Sequence, residues 1–155
     1  MDLVFSLVAG AVQGLTEFLP ISSTGHLIII EKLFGVSQDT FGLAFDASLH
    51  LGTFFAVLIF FWKDYLKILD FKNNLYIKLT IGTLPGIIFG LALENYVETS
   101  FRSLTLIALS LIIFSFFIFF ADKKGKKNKT DDSISVLDSL IIGASQALAL
   151  IPGIS

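Results

Sequence analysis

Residues 103–121, SLTLIALSLIIFSFFIFFA, contain no charged side chain. A helix rises about 1.5 Å per residue, so a run of this length covers the roughly 30 Å hydrocarbon core of a bilayer. Two further apolar runs, 42–61 (GLAFDASLHLGTFFAVLIFF) and 79–97, have comparable length. Three such segments leave little choice of architecture. Backbone in lipid must satisfy its own N–H and C=O groups, and long apolar runs do so as helices. The composition agrees: 15% of the residues are charged, against about 25% in an ordinary soluble domain. Mean hydropathy is +0.82 and 17 residues are Phe. The expected fold is an all-α integral membrane protein. No cysteine is present, which excludes disulfides, thiolate metal sites and cysteine nucleophiles. The N-terminus begins Met1-Asp2 without a basic region, so no secretory signal peptide is expected.

Lysine placement sets the orientation. Lys63, Lys67, Lys72 and Lys78 fall in 62–78, and Lys123, Lys124, Lys126, Lys127 and Lys129 fall in 122–136. Lys32 and Arg102 complete the 11 basic residues. By the positive-inside rule both lysine-rich loops are cytoplasmic, and the 95–102 loop and the region before residue 42 are external. The run KKGKKNK reads as a topogenic loop rather than a nucleic-acid patch. The second span carries Gly82, Gly86 and Gly90 at four-residue spacing, which predicts a helix-packing face, and Pro85, which predicts a kink.

The first 41 residues do not read as an ordinary span. An apolar run over 3–19 stops at Pro20, and a second over 27–34 is too short to cross. Between them lies Ile21-Ser22-Ser23-Thr24-Gly25. The pattern predicts a re-entrant helical hairpin over 3–35, whose polar backbone must be buried by protein or line a wet cavity.

An internal repeat organises the chain. Gly-Ala-Val-Gln-Gly-Leu at 10–15 returns as Gly-Ala-Ser-Gln-Ala-Leu at 143–148. Each copy then reaches an aliphatic-proline pair, Leu19-Pro20 and Ile151-Pro152, and soon after a serine. A first repeat over 1–136 and the start of a second over 137–155 are expected. Three spans separate the copies, so the second enters from the opposite side of the membrane. Inverted repeats of this kind place their site where the two broken-helix elements meet. The second copy reaches only Ser155, within its own motif, so the chain is expected to be an N-terminal fragment of a protein with two full repeats.

Residues 13–26, QGLTEFLPISSTGH, concentrate the polar chemistry. Gln13 and Glu17 share a helix face. A carboxylate in an apolar segment needs a cation, a proton or a donor. Ser22, Ser23, Thr24 and Gly25 precede an apolar run and carry helix N-cap signals. A helix N-terminus offers free N–H groups and partial positive charge, which suits phosphate. His26 falls in the first turn, placed to act as acid, base or nucleophile. Glu17 with Gln13 suits a divalent cation that also takes phosphate oxygens. The expected reaction is hydrolysis of a phosphoanhydride. The plainer reading is a capped turn in which Glu17 and His26 satisfy each other. Asp46 and His50, four apart on the first span, read first as a mutually satisfied pair and second as a contact to the Glu17–His26 site.

These motifs resemble those of the bacterial undecaprenyl-diphosphatase family, also called bacitracin-resistance proteins. EFLPISSTGH, with Gln13 four residues before Glu17, is similar to that family's first signature. Pro152-Gly153-Ile154-Ser155 is similar to the start of its second, which continues Arg-Ser-Gly. Phe45-Asp46 with His50-Leu51-Gly52-Thr53 is similar to its first full span. The resemblance implies removal of the terminal phosphate from undecaprenyl diphosphate, giving the lipid carrier of peptidoglycan synthesis. It implies a multi-pass protein of the bacterial inner membrane with its site facing the periplasm, and Mg²⁺ or Ca²⁺ as cofactor. It assigns Glu17 to the cation with Gln13 beside it, and Ser22, Thr24, Gly25 and Ser155 to phosphate. Ser23 and His26 are the rival nucleophiles. Expected partners are a polyprenyl diphosphate lipid, membrane lipids and a second copy in a homodimer, with no nucleic acid. Two departures stand out. Position 13 is Gln where Glu is also found, and the arginine that should follow Ser155 is missing, so the chain alone is expected to be inactive or nearly so. The competing function is a polyprenyl-phosphate flippase or other transporter built on inverted repeats.

Overall fold

The computed structural model describes residues 2–37, 40–68, 74–98, 100–130 and 133–154. Of residues 67, 94, 97 and 98 only the backbone is described. Among these residues the regular structure is helical throughout: α1 (Asp2–Thr16), α2 (Ser23–Phe34), α3 (Leu43–Phe60), α4 (Trp62–Ile68), α5 (Leu75–Glu98), a 3₁₀ turn (Ser100–Arg102), α6 (Leu104–Lys124) and α7 (Val136–Leu148).

Each apolar run lies in one long helix. Leu43–Phe60, Leu75–Leu93 and Leu104–Lys124 are long and apolar enough to cross a membrane. Their side chains face outward: Phe116, Phe117, Phe119 and Phe120 on α6 are more than half exposed. The helices run past the hydropathy limits because backbone hydrogen bonding does not stop where charge begins. α6 continues through Asp122, Lys123 and Lys124 until Gly125, and α5 starts four residues before position 79 and runs unbroken through Pro85. The short helix α4, WKDYLKI, occupies part of a segment that the lysine pattern marked only as a loop. Positions 69–73, with Lys72, fall outside the described residues.

The small interior gathers at the N-terminal hairpin. Phe5 and Ala9 of α1 pack against Leu27 of α2 and Phe41, with Val12, Ile30, Phe45 and Leu49 around them. Phe5, Phe41 and Phe45 stack edge-on, with centroids 4.7 Å (Phe5–Phe41) and 4.9 Å (Phe41–Phe45) apart. Such pairs add about 0.5–1.5 kcal/mol each beyond area burial. α2 ends at Gly35, whose left-handed φ of 63° lets its N–H close on Glu31 and Lys32 carbonyls.

α7 starts with a capping box, Ser135 and Asp138 each bonding the other's backbone N–H, and packs along α5. The approach is close. A Cβ on Gly143 would stand 2.1 Å from the Gly82 carbonyl oxygen. The predicted glycine face is thus used at Gly82. Gly86 and Gly90 have no protein atom near the place a Cβ would occupy, so only one of the three glycines serves the contact.

The repeated segments fall at matching places. Residues 10–15 close α1 and residues 143–148 close α7, and each helix gives way to a turn around its proline. The two turns meet: Gly153 N–H donates to Ser22 Oγ at 2.9 Å in a buried contact. Pro152 is fully buried there.

Candidate active site

Pro20 cannot continue a helix, so α1 stops at Thr16 and the chain turns. Glu17 N–H still bonds Gln13 C=O at 2.9 Å, and Leu19 N–H bonds Thr16 C=O at 3.2 Å. Glu17 is therefore held one step past the helix end, with its carboxylate beside the start of α2. Gln13, 1% exposed, donates Nε2–H to Glu17 Oε2 at 2.9 Å. Ser23 donates its hydroxyl to the same oxygen at 2.6 Å. His50 Nε2 from α3 stands 3.7 Å from it. The predicted face-sharing of Gln13 and Glu17 holds, and Ser23 joins them.

Ser22 is the N-cap of α2 and has a left-handed φ of 63°. Its Oγ accepts from Gly25 N–H at 3.2 Å as well as from Gly153 N–H at 2.9 Å. Its carbonyl accepts from His26 N–H at 3.2 Å and from the His26 ring Nδ1 at 2.8 Å. The Ser22 carbonyl and the acceptor side of its hydroxyl are thus committed. Its hydroxyl oxygen caps α2 and ties the two turns together, and its O–H remains the group that a phosphate would take. Space is tight at Gly25, where a Cβ would meet Ser22 Oγ at 3.1 Å and Ile107 Cγ2 at 3.4 Å. Thr24 is half-buried, and among the described residues its hydroxyl has no partner. The first amides of α2 are those that a helix leaves free for an anion.

His26 points into a cavity of about 290 Å³ lined by Pro20, Ile21, Leu111, Phe114, Gly153 and Ile154, among others. A carbonyl acceptor on Nδ1 requires the proton there, so Nε2 of the neutral ring carries the lone pair. No hydrogen bond joins Ser23 to His26 among the described residues; Ser23 turns to Glu17 instead. The plainer reading, Glu17 and His26 satisfying each other, is not what forms.

Asp46 and His50 need a correction. They do not pair through their side chains: His50 Nδ1 bonds the Asp46 backbone carbonyl at 2.8 Å. The Asp46 carboxylate instead accepts from Arg102 Nη1 at 2.8 Å, and Arg102 Nη2 donates to Glu31 Oε2 at 2.8 Å. Of the two, only His50 reaches Glu17. Glu31, Asp46 and Arg102 form a sealed cluster that pattern reading missed. The signal was present: three ionisable residues in or beside apolar segments must find one another. Burial works against the Arg102 charge, but Asp46 and Glu31 outweigh it and lift its already high pKa further.

Glu17 and Gln13 are the side chains that would hold a divalent cation here. Gln13 Oε1 is buried and has no partner among the described residues. Among the described residues, no three His, Cys, Asp or Glu side chains converge as a full cage there. Such a site leaves positions for phosphate oxygens and water, as Mg²⁺ sites commonly do. Ser155, the remaining predicted phosphate contact, lies outside the described residues.

The model of one protein family, bacitracin resistance protein BacA, matches residues 6–155. The chain belongs to this family. It is similar to the undecaprenyl-diphosphatases of Desulforudis audaxviator, 43% identical over 96% of this chain, and Thermodesulfovibrio yellowstonii, 41% identical over all of it. The Moorella thermoacetica undecaprenyl-diphosphatase is 40% identical, again over all of the chain. The chain spans 59–62% of the length of these relatives. No solved structure matches. Family membership and three apolar spans together make it a multi-pass membrane protein.

Proposed function

We propose that this chain supplies one half of the active site of an undecaprenyl-diphosphatase of the bacterial inner membrane, with the site facing the periplasm. The observation that carries the reading is the Glu17–Ser23 contact at the N-terminus of α2, one helical turn before His26 and closed on one side by the Gly153 turn. The substrate is a polyprenyl diphosphate. Its terminal phosphate would rest on the Ser23 and Thr24 amides at the start of α2, beside Gly25. A Mg²⁺ or Ca²⁺ ion on Glu17 and Gln13 would neutralise diphosphate charge.

The absence of a Ser23–His26 bond and the lone pair on His26 Nε2 favour the imidazole as nucleophile. Nε2 attacks the terminal phosphorus, the bond to the bridging oxygen breaks, and the lipid monophosphate leaves with that oxygen. Water then cleaves the phosphohistidine and releases inorganic phosphate. Ser23 orients Glu17, and Ser22 holds His26 in place through its carbonyl. A flippase needs a cradle for phosphate but no imidazole aimed into it.

The test is phosphate release from farnesyl and undecaprenyl diphosphates. The chain is assayed alone and fused after Ser155 to the corresponding C-terminal part of the Desulforudis audaxviator relative. The fusion is expected to release phosphate, and Glu17→Gln or His26→Ala in it to lower kcat/KM by about 10²–10⁴-fold. A fusion that binds the lipid yet never releases phosphate refutes the proposal.

A further inference from the structure

His50 has a role that neither the motif nor the cation expectation assigns. Its Nδ1 bonds a backbone carbonyl, so the proton sits on Nδ1. The other nitrogen then presents a lone pair to Glu17 Oε2 at 3.7 Å, too far for a hydrogen bond. Two electron-rich atoms face each other across this gap. Glu17 Oε2 already accepts from Gln13 and Ser23, so His50 is not needed to complete its hydrogen bonding.

We propose that His50 Nε2 is a ligand of the cation at Glu17, making this a mixed nitrogen–oxygen site. The proposal rests on the reading of Glu17 as the cation carboxylate. Mg²⁺ and Mn²⁺ sites are octahedral with bonds of roughly 2.1 Å, so adjacent donors stand about 3.0 Å apart and a cation draws the two side chains together by about 0.7 Å. The geometry around the ring is prepared for this. A ligating histidine usually donates its other N–H to a carbonyl or carboxylate, which fixes tautomer and orientation; His50 does so to Asp46 C=O. That carbonyl belongs to a residue itself anchored by Arg102. Gln13 supplies a second argument. Its Oε1 is buried without a partner, and the amide can present either oxygen or nitrogen towards Glu17. Turned over, it adds a carbonyl donor. His50 and Glu17 keep 37% and 28% of their side-chain surface exposed, so an ion and a diphosphate can reach the gap.

An imidazole ligand changes which ions bind well. Oxygen-only sites suit Mg²⁺ and Ca²⁺, whereas imidazole favours later first-row metals. The site should therefore take Zn²⁺ more tightly than Mg²⁺, and the advantage should depend on His50, with Mn²⁺ serving as the paramagnetic probe.

The chain contains only two histidines, His26 and His50, which makes the test clean. Pulsed EPR of Mn²⁺ with methylenediphosphonate, on the chain in detergent, reports a directly bound imidazole through its ¹⁴N couplings. The couplings should persist in His26→Gln, where His50 is the sole remaining histidine, and vanish in His50→Gln. Mn²⁺ affinity should fall by about tenfold or more in His50→Gln. Failure of Mn²⁺ to bind, bound Mn²⁺ without ¹⁴N couplings, or couplings lost only in His26→Gln would each overturn the proposal. None of these readouts depends on phosphate release, so a failed hydrolase reading is seen separately. Should His50→Gln not fold, the His26→Gln protein alone decides the matter.

Discussion

Two carboxylate sites adjoin α3, and they are built on opposite terms. At Glu31, Asp46 and Arg102, two carboxylates 1% and 3% exposed share a guanidinium 10% exposed. At Glu17, the carboxylate keeps over a quarter of its surface, its donors are neutral, and the His50 ring nitrogen stands 3.7 Å away. Both follow the rule that charge near lipid needs a partner. The first is supplied with one by the fold. The second is left short of positive charge, and that shortfall suits a site that waits for a cation and a phosphate. A sealed ion cluster fixes geometry, whereas an open, under-compensated one can bind.

The contrast breaks most readily at Arg102. Arg102→Met leaves two buried carboxylates without their cation and should destabilise the protein by about 3–5 kcal/mol, read from the unfolding midpoint in detergent. Replacing all three members together, Glu31→Gln, Asp46→Asn and Arg102→Met, should recover most of that loss. Glu17→Gln should leave the midpoint nearly unchanged. If Glu17→Gln destabilises as much as Arg102→Met, the division between a structural and a chemical cluster is wrong.

A smaller effect sharpens the comparison between the two repeats. Ser22 Oγ accepts one N–H from its own helix and one from Gly153. Ser22→Ala should cost about 1–2 kcal/mol. Ser22→Gly should cost less, because glycine relieves the left-handed backbone at this position. In both, hydrogen exchange at the Gly153 amide should accelerate. Unchanged exchange there would mean that the two turns are not coupled through this hydroxyl.

The sequence made some of this legible and hid the rest for physical reasons. The spans were readable because hydropathy over about 20 residues integrates many side chains. The meeting of the two turns was readable from Gln13 and Gln146, the two prolines and the odd number of spans between them. The cluster of Glu31, Asp46 and Arg102 was not. Its members lie 56 and 71 residues from Arg102, and no local spacing encodes such a contact. Asp46 and His50 misled because i, i+4 spacing says that two side chains share a face, not that they bond each other. The double duty of Ser22 was hidden for a similar reason: N-cap patterns announce a cap, and only the fold shows a second donor arriving from residue 153.

The central claim is that phosphate chemistry takes place at His26, on the open side of this comparison. The most direct measurement is rapid-quench trapping of the phosphorylated enzyme, using the fusion protein and farnesyl diphosphate labelled in its terminal phosphate. Label that is stable in alkali, lost in acid and mapped to position 26 is the predicted result. Acid-stable label on Ser23, or turnover with no label on either residue, would contradict it.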